Sequence, residues 1–451
     1  MHPALTFLSL ALVAICAAQF ALCDIRKCGV DLCKGILLLL VMQNPMIGLG
    51  AHLAGNTSDV LKLLTQIPFL TVAIIWFIVR LRSLSQLRIA KKPWIAFLAL
   101  VAAIALSFLL GRGSMQAILV NVRNMTVFYM AFEIGVVCLR EKVHMEQLQV
   151  FFLKLAAVMF LAGLILSEAG YPLYRALGIH EVYIAKAAPF DEGALDYRFF
   201  TSLISRTYTR MGSLYYEPVS LAYFFSFALL VAFFGSWTTG WVKRVIPVAI
   251  TGFGLLLTFG KGGYLIAALA VLCIFATQVL GVLFRRLPRK VHMAITVFCM
   301  LLGTAVFSIW YYQNIGAAAS QHFWGIIQTW GSVTQRPWGY GLGTGGNAAT
   351  ILNGSENWLA TGGETALMAF MYQLGIQGIV AFIWCVNRTR SPFAERNNFY
   401  SLFAFLPVIL LCISLLQDNT FTPQCIVPFM LFQGGVFANT KTDNKMAGDT
   451  L

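Results

Sequence analysis

Charge is scarce in this chain. Asp, Glu, Lys and Arg make up 11% of its 451 residues, against 59% hydrophobic residues. With a mean hydropathy of +0.76, such a composition excludes a soluble globular protein. Metal-binding signals are missing as well. There is no Asp-x-Asp and no His cluster, and Cys28 and Cys33 are spaced for neither a zinc hook nor a redox pair. Cys138, Cys273, Cys299, Cys385 and Cys412 fall inside apolar runs, where cysteine behaves as a small hydrophobe. The glycine run at 335–347 has no strand–helix unit around it and no Lys-Ser/Thr ending, so it is neither a dinucleotide fingerprint nor a P-loop. No internal repeat and no low-complexity tract is present. No Lys or Arg precedes Arg26, which argues against a cleaved signal peptide, since that needs a basic leading region.

What the chain has instead is apolar runs of bilayer length. Runs of about 20 apolar residues can span a membrane. They are expected near 4–23, 35–55, 61–80, 93–111, 116–138, 149–169, 217–237, 244–260, 263–284, 291–312, 364–386, 399–417 and 424–438. The expected fold class is therefore all-α: a polytopic helix bundle of about 12–13 spans, forming one transmembrane domain over 1–440 with a polar, disordered cytoplasmic tail at 441–451. The net charge of +14 does not point to nucleic acid. Its basic residues concentrate in alternate short loops: Arg26, Lys27 and Lys34; Arg80 to Lys92; Arg140 and Lys142; Lys243 and Arg244; Arg285 to Lys290; Arg388 to Arg396. That alternation is the positive-inside signature. It places those loops in the cytoplasm and the N-terminus outside.

Two long connections, 171–216 and 313–363, then face the outer side. Connections of that length without secondary structure are usually functional or disordered. The first mixes Arg175, Lys186, Arg198, Arg206 and Arg210 with acidic residues and many aromatics, among them Tyr183, Tyr208, Tyr215 and Tyr216. Aromatic faces with polar neighbours suit sugar rings, and they equally suit an interfacial belt of amphipathic helices. The second carries the glycine run, which reads either as a flexible turn or as an anion nest of backbone N–H groups.

Charged groups at membrane boundaries single out a few positions. Arg210 and Glu217 stand at the mouth of the run 219–237, Lys261 between two runs, and Glu364 at the head of another. Arg210 can grip phosphate oxygens with its fork; Arg206 and Arg336 are further candidates for that work. Lys261 is flanked by Gly260, Gly262 and Gly263, which would let a phosphate approach closely. The competing reading of Lys261 is a lysine that snorkels to the headgroups. For Glu217 and Glu364 it is a carboxylate capping a helix dipole. Arg123 and Glu133 lie inside one span, ten residues apart, so they need not pair; either is expected to face the bundle interior. Two cations and a carboxylate suffice for glycosyl transfer from a lipid diphosphate. Cations stabilise the departing diphosphate, and the carboxylate accepts the proton of the attacking hydroxyl.

At these residues the chain resembles the Wzy/O-antigen ligase superfamily of bacterial membrane glycosyltransferases. Arg210 with Gly212 and then Pro218 is similar to the family's Arg- and Gly-bearing segment before an Asn/Glu-Pro helix start. Leu257-Thr258-Phe259-Gly260-Lys261-Gly262-Gly263 resembles its Thr-x-Ser-Arg-Gly segment, with Lys261 in place of Arg. Arg336-Pro337 with Gly339, Gly341 and Gly343 looks like its Pro-x-Gly-x-Gly loop, and Glu364 with Gly375 and Gly378 its His-Asn…Gly-x-x-Gly segment. Glu364 thus stands where ligases carry a base His, and Tyr215-Tyr216-Glu217-Pro218 looks closer to the polymerase branch, in particular colanic-acid-type exopolysaccharide polymerases. The resemblance implies a GT-C-like fold with large periplasmic loops in the bacterial inner membrane. It implies a metal-independent, cofactor-free, inverting polymerase acting on undecaprenyl-diphosphate-linked oligosaccharides, with a chain-length-regulating co-polymerase as a partner. The implied catalytic residues are Glu364, Arg210 and Lys261, with Glu217, Arg206, Arg336 and Tyr216 binding substrate. Ligase-type transfer to another acceptor, or secondary transport of an anionic solute, are the alternatives.

Overall fold

The computed structural model describes residues 25–54, 65–111, 113–186, 193–195, 197–203, 206–238, 240–283, 288–315, 317–353, 359–392 and 398–448. The architecture is all-α apart from one hairpin. The helices are α1 (Ile25–Ala54), α2 (Ile67–Arg82), α3 (Lys91–Leu110), α4 (Met115–Cys138), α5 (Lys142–Ala169), α6 (Tyr171–Ala176) and α7 (Ile179–Ala185). After the hairpin β1 (Phe200–Leu203) and β2 (Arg206–Thr209) come α8 (Pro218–Phe234), α9 (Trp241–Thr258), α10 (Lys261–Leu283), α11 (Arg289–Ile315) and α12 (Ala317–Gln335). The last four are α13 (Gly346–Asn353), α14 (Ala366–Arg388), α15 (Asn398–Ser414) and α16 (Pro423–Gly448).

Among the described residues, six helices are long and apolar enough to cross a membrane: Cys28–His52, Gln86–Leu110, Lys142–Ala169, Trp241–Thr258, Lys261–Leu283 and Ala366–Arg388. Repeated long apolar helices mark a multi-pass membrane protein. Pro218–Phe234, Val291–Val306 and Asn398–Ser414 are apolar but shorter. α4 is interrupted by Asn121, Arg123, Asn124 and Glu133, which lower its hydropathy. The run expected at 4–23 lies outside the described residues. Large side chains such as Ile246, Phe253, Phe275 and Phe298 remain exposed on these helices, as a lipid-facing surface requires.

Several expectations change. The stretch 171–216 holds α6, α7 and the hairpin, and 313–363 holds α12 and α13, so neither is a structureless loop. The tail is not disordered from 441 onward, because α16 runs to Gly448. Cys28 and Cys33 sit inside α1 rather than in a loop.

The chain forms two compact units. One draws on 1–88, 130–264 and 423–439, the other on 89–129, 265–422 and 440–451. The first has an aromatic core: Phe152 of α5 packs against Phe224 and Phe227 of α8 and Phe432 of α16, with ring centroids 4.9, 5.4 and 5.8 Å apart. α4 and α16 approach so closely that a Cβ on Gly434 would lie 2.0 Å from the Phe132 carbonyl. Small residues permit such contact where apolar driving force is weak. Glu133 is fully buried here. Its carboxylate accepts hydrogen bonds from Arg80 and, at 2.7 Å, from Trp76 Nε1.

In the second unit α3 and α12 pack on α14, and α14 is broken at Gly375, where φ is 71° and ψ −172°. A break inside an apolar helix frees backbone groups that only protein can satisfy. The glycine run supplies the partners. Tyr340 N donates to Tyr372 O at 2.9 Å, Gly341 N to Gln373 O at 3.1 Å, and Ile376 N to Pro337 O at 2.9 Å. The buried Gln373 side chain accepts from Gly343 N and donates to Asn121, Gly345 and Ala369. The run is thus a clamp across the helix break, not a flexible turn. A Cβ on Gly375 would fall 2.3 Å from Pro337 O in a left-handed conformation. Gly375→Ala should therefore lower stability by about 1–3 kcal/mol. The check is the thermal midpoint of the detergent-solubilised protein, read by monodispersity; an unchanged midpoint would show that the clamp tolerates a methyl group.

Candidate functional site

Arg210 is built into the first unit by the hairpin. β1 and β2 pair antiparallel with Phe200 opposite Thr209, and Arg210 N continues the pairing by donating to Phe199 O at 2.7 Å. Its guanidinium is then held by two carbonyls: Nε donates to Thr258 O and Nη1 to Arg198 O, both at 3.0 Å. A guanidinium has five N–H donors, so the clamp fixes the fork while leaving most donors uncommitted. Burial lowers the pKa of Arg210, and the Glu217 carboxylate pulls it back up. The group keeps its charge, because a guanidinium does not lose its proton in proteins.

The chain beyond Arg210 is locally strained. Ser213, Tyr216 and Phe259 are the positive-φ residues other than glycine among the described residues, at 47°, 52° and 47°. All three flank Arg210 or Lys261. Such conformations cost about 1–3 kcal/mol each and cluster at functional sites. The turn is secured by tertiary bonds: Ser213 Oγ to Met159 O at 2.7 Å, Asn44 Nδ2 to Tyr215 O at 2.5 Å, and Tyr183 OH to Tyr216 O at 2.9 Å.

Glu217 is the N-cap of α8, directly before Pro218 in its first turn. Ser220 Oγ donates to its Oε2 at 2.6 Å, and the carboxylate makes no side-chain bond to the backbone amides of the helix start. Lys261 is exposed and opens α10. A cation there opposes the helix dipole, a placement that an anion would relieve. The glycines around it have another task than making room for phosphate. A Cβ on Gly260 or Gly263 would lie 2.1 or 2.6 Å from atoms of Ala222, so they let the α9–α10 corner press on α8. Tyr216 is fully buried, and its hydroxyl donates to Leu177 O at 2.9 Å. Arg206 opens β2, its backbone paired with Leu203; its side chain lies outside the description.

The second unit holds Arg336 and Glu364. Glu364 Oε2 lies 3.1 Å from His322 Nε2, and burial raises the carboxyl pKa. Sequence reasoning missed His322. It sits 42 residues before Glu364, with no motif spacing to join them, and its only signal was a titratable ring near the start of an apolar amphipathic segment. Arg336 Nη2 donates to Leu110 O at 3.1 Å, and its guanidinium lies over the Tyr340 ring at 5.3 Å. That ring stacks on Tyr372 at 4.3 Å and 2°. The amides of Gly339, Tyr340, Gly341, Leu342, Gly343 and Gly346 all donate to protein oxygens, so these six are not offered to an anion. Among the described residues, no group of three or more His, Cys, Asp or Glu is placed to hold a metal ion.

No family model, curated protein or solved structure matches this chain. The chemistry must therefore be argued from the side chains. The first unit offers a rigid, mostly uncommitted guanidinium in a strained turn, with an exposed lysine at the neighbouring corner. The second offers a carboxylate of raised basicity beside an imidazole. Tyr216→Phe separates architecture from chemistry here. Loss of its buried bond should cost about 1 kcal/mol, seen as a lower thermal midpoint, without weakening anion binding at Arg210. Weakened anion binding at unchanged stability would place the phenol in the site.

Proposed function

We propose that this chain is a membrane glycosyltransferase that polymerises undecaprenyl-diphosphate-linked oligosaccharide units into exopolysaccharide or O-antigen. In this reading it has the GT-C-like architecture and works at the periplasmic face of the bacterial inner membrane, alongside a chain-length-regulating co-polymerase. The observation that carries it is Arg210: a half-buried guanidinium fixed by two carbonyls, with most of its donors uncommitted among the described residues, beside the left-handed Ser213 and Tyr216. That is how a protein presents a preorganised cation to phosphate oxygens. The resemblance to the Wzy superfamily at Arg210 and Arg336, with Lys261 and Glu364 in place of its Arg and His, points the same way.

The roles follow from the chemistry. Arg210 and Lys261 neutralise the charge that grows on the diphosphate as the anomeric carbon–oxygen bond breaks. In the second unit, Glu364 has the chemistry of a general base for a sugar hydroxyl. Its raised pKa makes it a better base than an ordinary carboxylate, and His322 orients it. Arg206 supplies further positive charge in the first unit; in the second, Arg336 adds a cation and the Tyr340–Tyr372 stack a flat face for a sugar ring. Ligase-type transfer uses the same parts with a different acceptor. The break at Gly375 is a feature of transporters, but here the segment 337–343 pairs across it with Tyr372, Gln373 and Ile376.

The test is chain extension by the purified protein on lipid-linked repeat units, read as a product ladder. Arg210→Ala should cut the rate about 100-fold, on the order of 3 kcal/mol, and Lys261→Arg should retain more activity than Lys261→Ala. Wild-type ladders from Arg210→Ala at matched expression would remove the proposal's central group.

The base carries its own signature in pH. A base acts only when ionised, so kcat/KM should fall as pH drops through the raised pKa of Glu364, earlier than for an ordinary carboxylate. Glu364→Gln should abolish extension while lipid-linked substrate still binds. Full activity of Glu364→Gln, with the acid limb unchanged, would take Glu364 out of the chemistry.

A further inference from the structure

Lys154 sits where a lysine is costly. It lies twelve residues beyond Lys142, roughly 18 Å along α5 at 1.5 Å per residue, inside the run that makes Lys142–Ala169 long and apolar enough to cross a membrane. Its side chain is exposed and makes no hydrogen bond or ion pair among the described residues. Ionisable residues inside apolar spans generally mark a binding function.

The surroundings of Lys154 say what would bind. A groove of about 410 Å³ in the first unit is lined by Lys34 of α1 and by one stripe of α5: Val143, Glu146, Gln147, Val150, Phe151 and Lys154. These α5 positions recur every three to four residues, so they share one face over three turns. The charges nearly balance. Lys34 is bridged to Asp31 at 2.7 Å, and Lys142 lies 4.0 Å from Glu146. Lys154 is left over as one uncompensated positive charge. The complement is a ligand with a single negative charge and an apolar body. Glu146 disfavours a second negative charge, and Gln147 can both donate to and accept from a hydroxyl.

We propose that this groove binds the phosphodiester headgroup of a monoanionic glycerophospholipid. Lys154 and Lys34 hold the phosphate, Gln147 meets the headgroup hydroxyls, and an acyl chain lies along Val143, Val150 and Phe151. Helical side chains lean toward the N-terminus, so Lys154 reaches back toward the polar end of α5, where Lys142 and Arg140 stand at the membrane boundary. The site is independent of the glycosyl-transfer reading, since none of its residues takes part in that chemistry. A lysine that merely snorkels would bind no lipid in fixed number and would not choose among headgroups.

Native mass spectrometry of the full-length protein tests this. The protein is released from micelles containing equal amounts of phosphatidylglycerol and phosphatidylcholine. One phosphatidylglycerol should be retained in preference to phosphatidylcholine, and Lys154→Gln and Lys34→Ala should each weaken that retention about fivefold. Lys154→Arg should preserve it. Equal retention of the two lipids, or unchanged retention in the Lys34→Ala/Lys154→Gln double variant, would overturn the proposal. Displacement of phosphatidylglycerol by millimolar inorganic phosphate would reassign the groove to a soluble anion and overturn the lipid assignment. Should a variant fail to fold, the headgroup competition on the unsubstituted protein decides by itself.

Discussion

Backbone N–H and C=O groups in an apolar surrounding have no water to turn to, and this constraint shapes the parts of the chain that carry its chemistry. A continuous helix meets the constraint internally. Where the helices break or turn sharply, the structure brings partners to freed groups. At Gly375 the partner is the 337–343 segment, whose amides and carbonyls stitch the two halves of α14 together. At the α9–α10 corner it is Arg210, which caps the Thr258 carbonyl with its side chain, while Met211 N meets the Leu257 carbonyl at 2.9 Å. The cation assigned to phosphate is thereby also a fastening of the helix end, which explains its fixed orientation.

Glycine serves close approach more than flexibility. Gly260 and Gly263 admit Ala222, and Gly434 admits the Phe132 carbonyl. In each case the missing side chain lets two elements touch at backbone distance, the contact that stabilises helices whose surroundings are as apolar as their side chains. The left-handed Ser213, Tyr216 and Phe259 go the other way. They are held in costly conformations by surrounding bonds, and they gather around the two cations of the first unit. Conformational cost concentrated at the charged groups, rather than spread along the chain, is the pattern expected of a preorganised site.

Much of this was legible in the residues. Hydropathy located the six helices long enough to cross a membrane, because span length and apolarity are properties of consecutive residues. The Glu217-Pro218 helix start was visible because capping is local. The glycines at 375 and 378 were picked out, but not the break, since a left-handed glycine within an apolar run looks no different from a helical one. Arg123 and Glu133 stood out as two charges within one span that, ten residues apart, need not pair. The partners of Glu133 lie instead on α2, at Trp76 and Arg80, more than fifty residues away in sequence.

By itself, then, the sequence determined an all-α chain with repeated apolar helices of membrane length, and which charged residues stand at their ends. Those are consequences of composition and short-range periodicity. Tertiary structure alone decided that Arg210 is clamped by the carbonyls of Arg198 and Thr258, that Glu364 faces His322, that Tyr340, Gly341 and Gly343 of the glycine run donate to a broken helix, and that Lys154 borders a groove with Lys34. Each of these joins residues far apart along the chain, and a hydrogen bond across the fold leaves no mark in the spacing of the residues that make it.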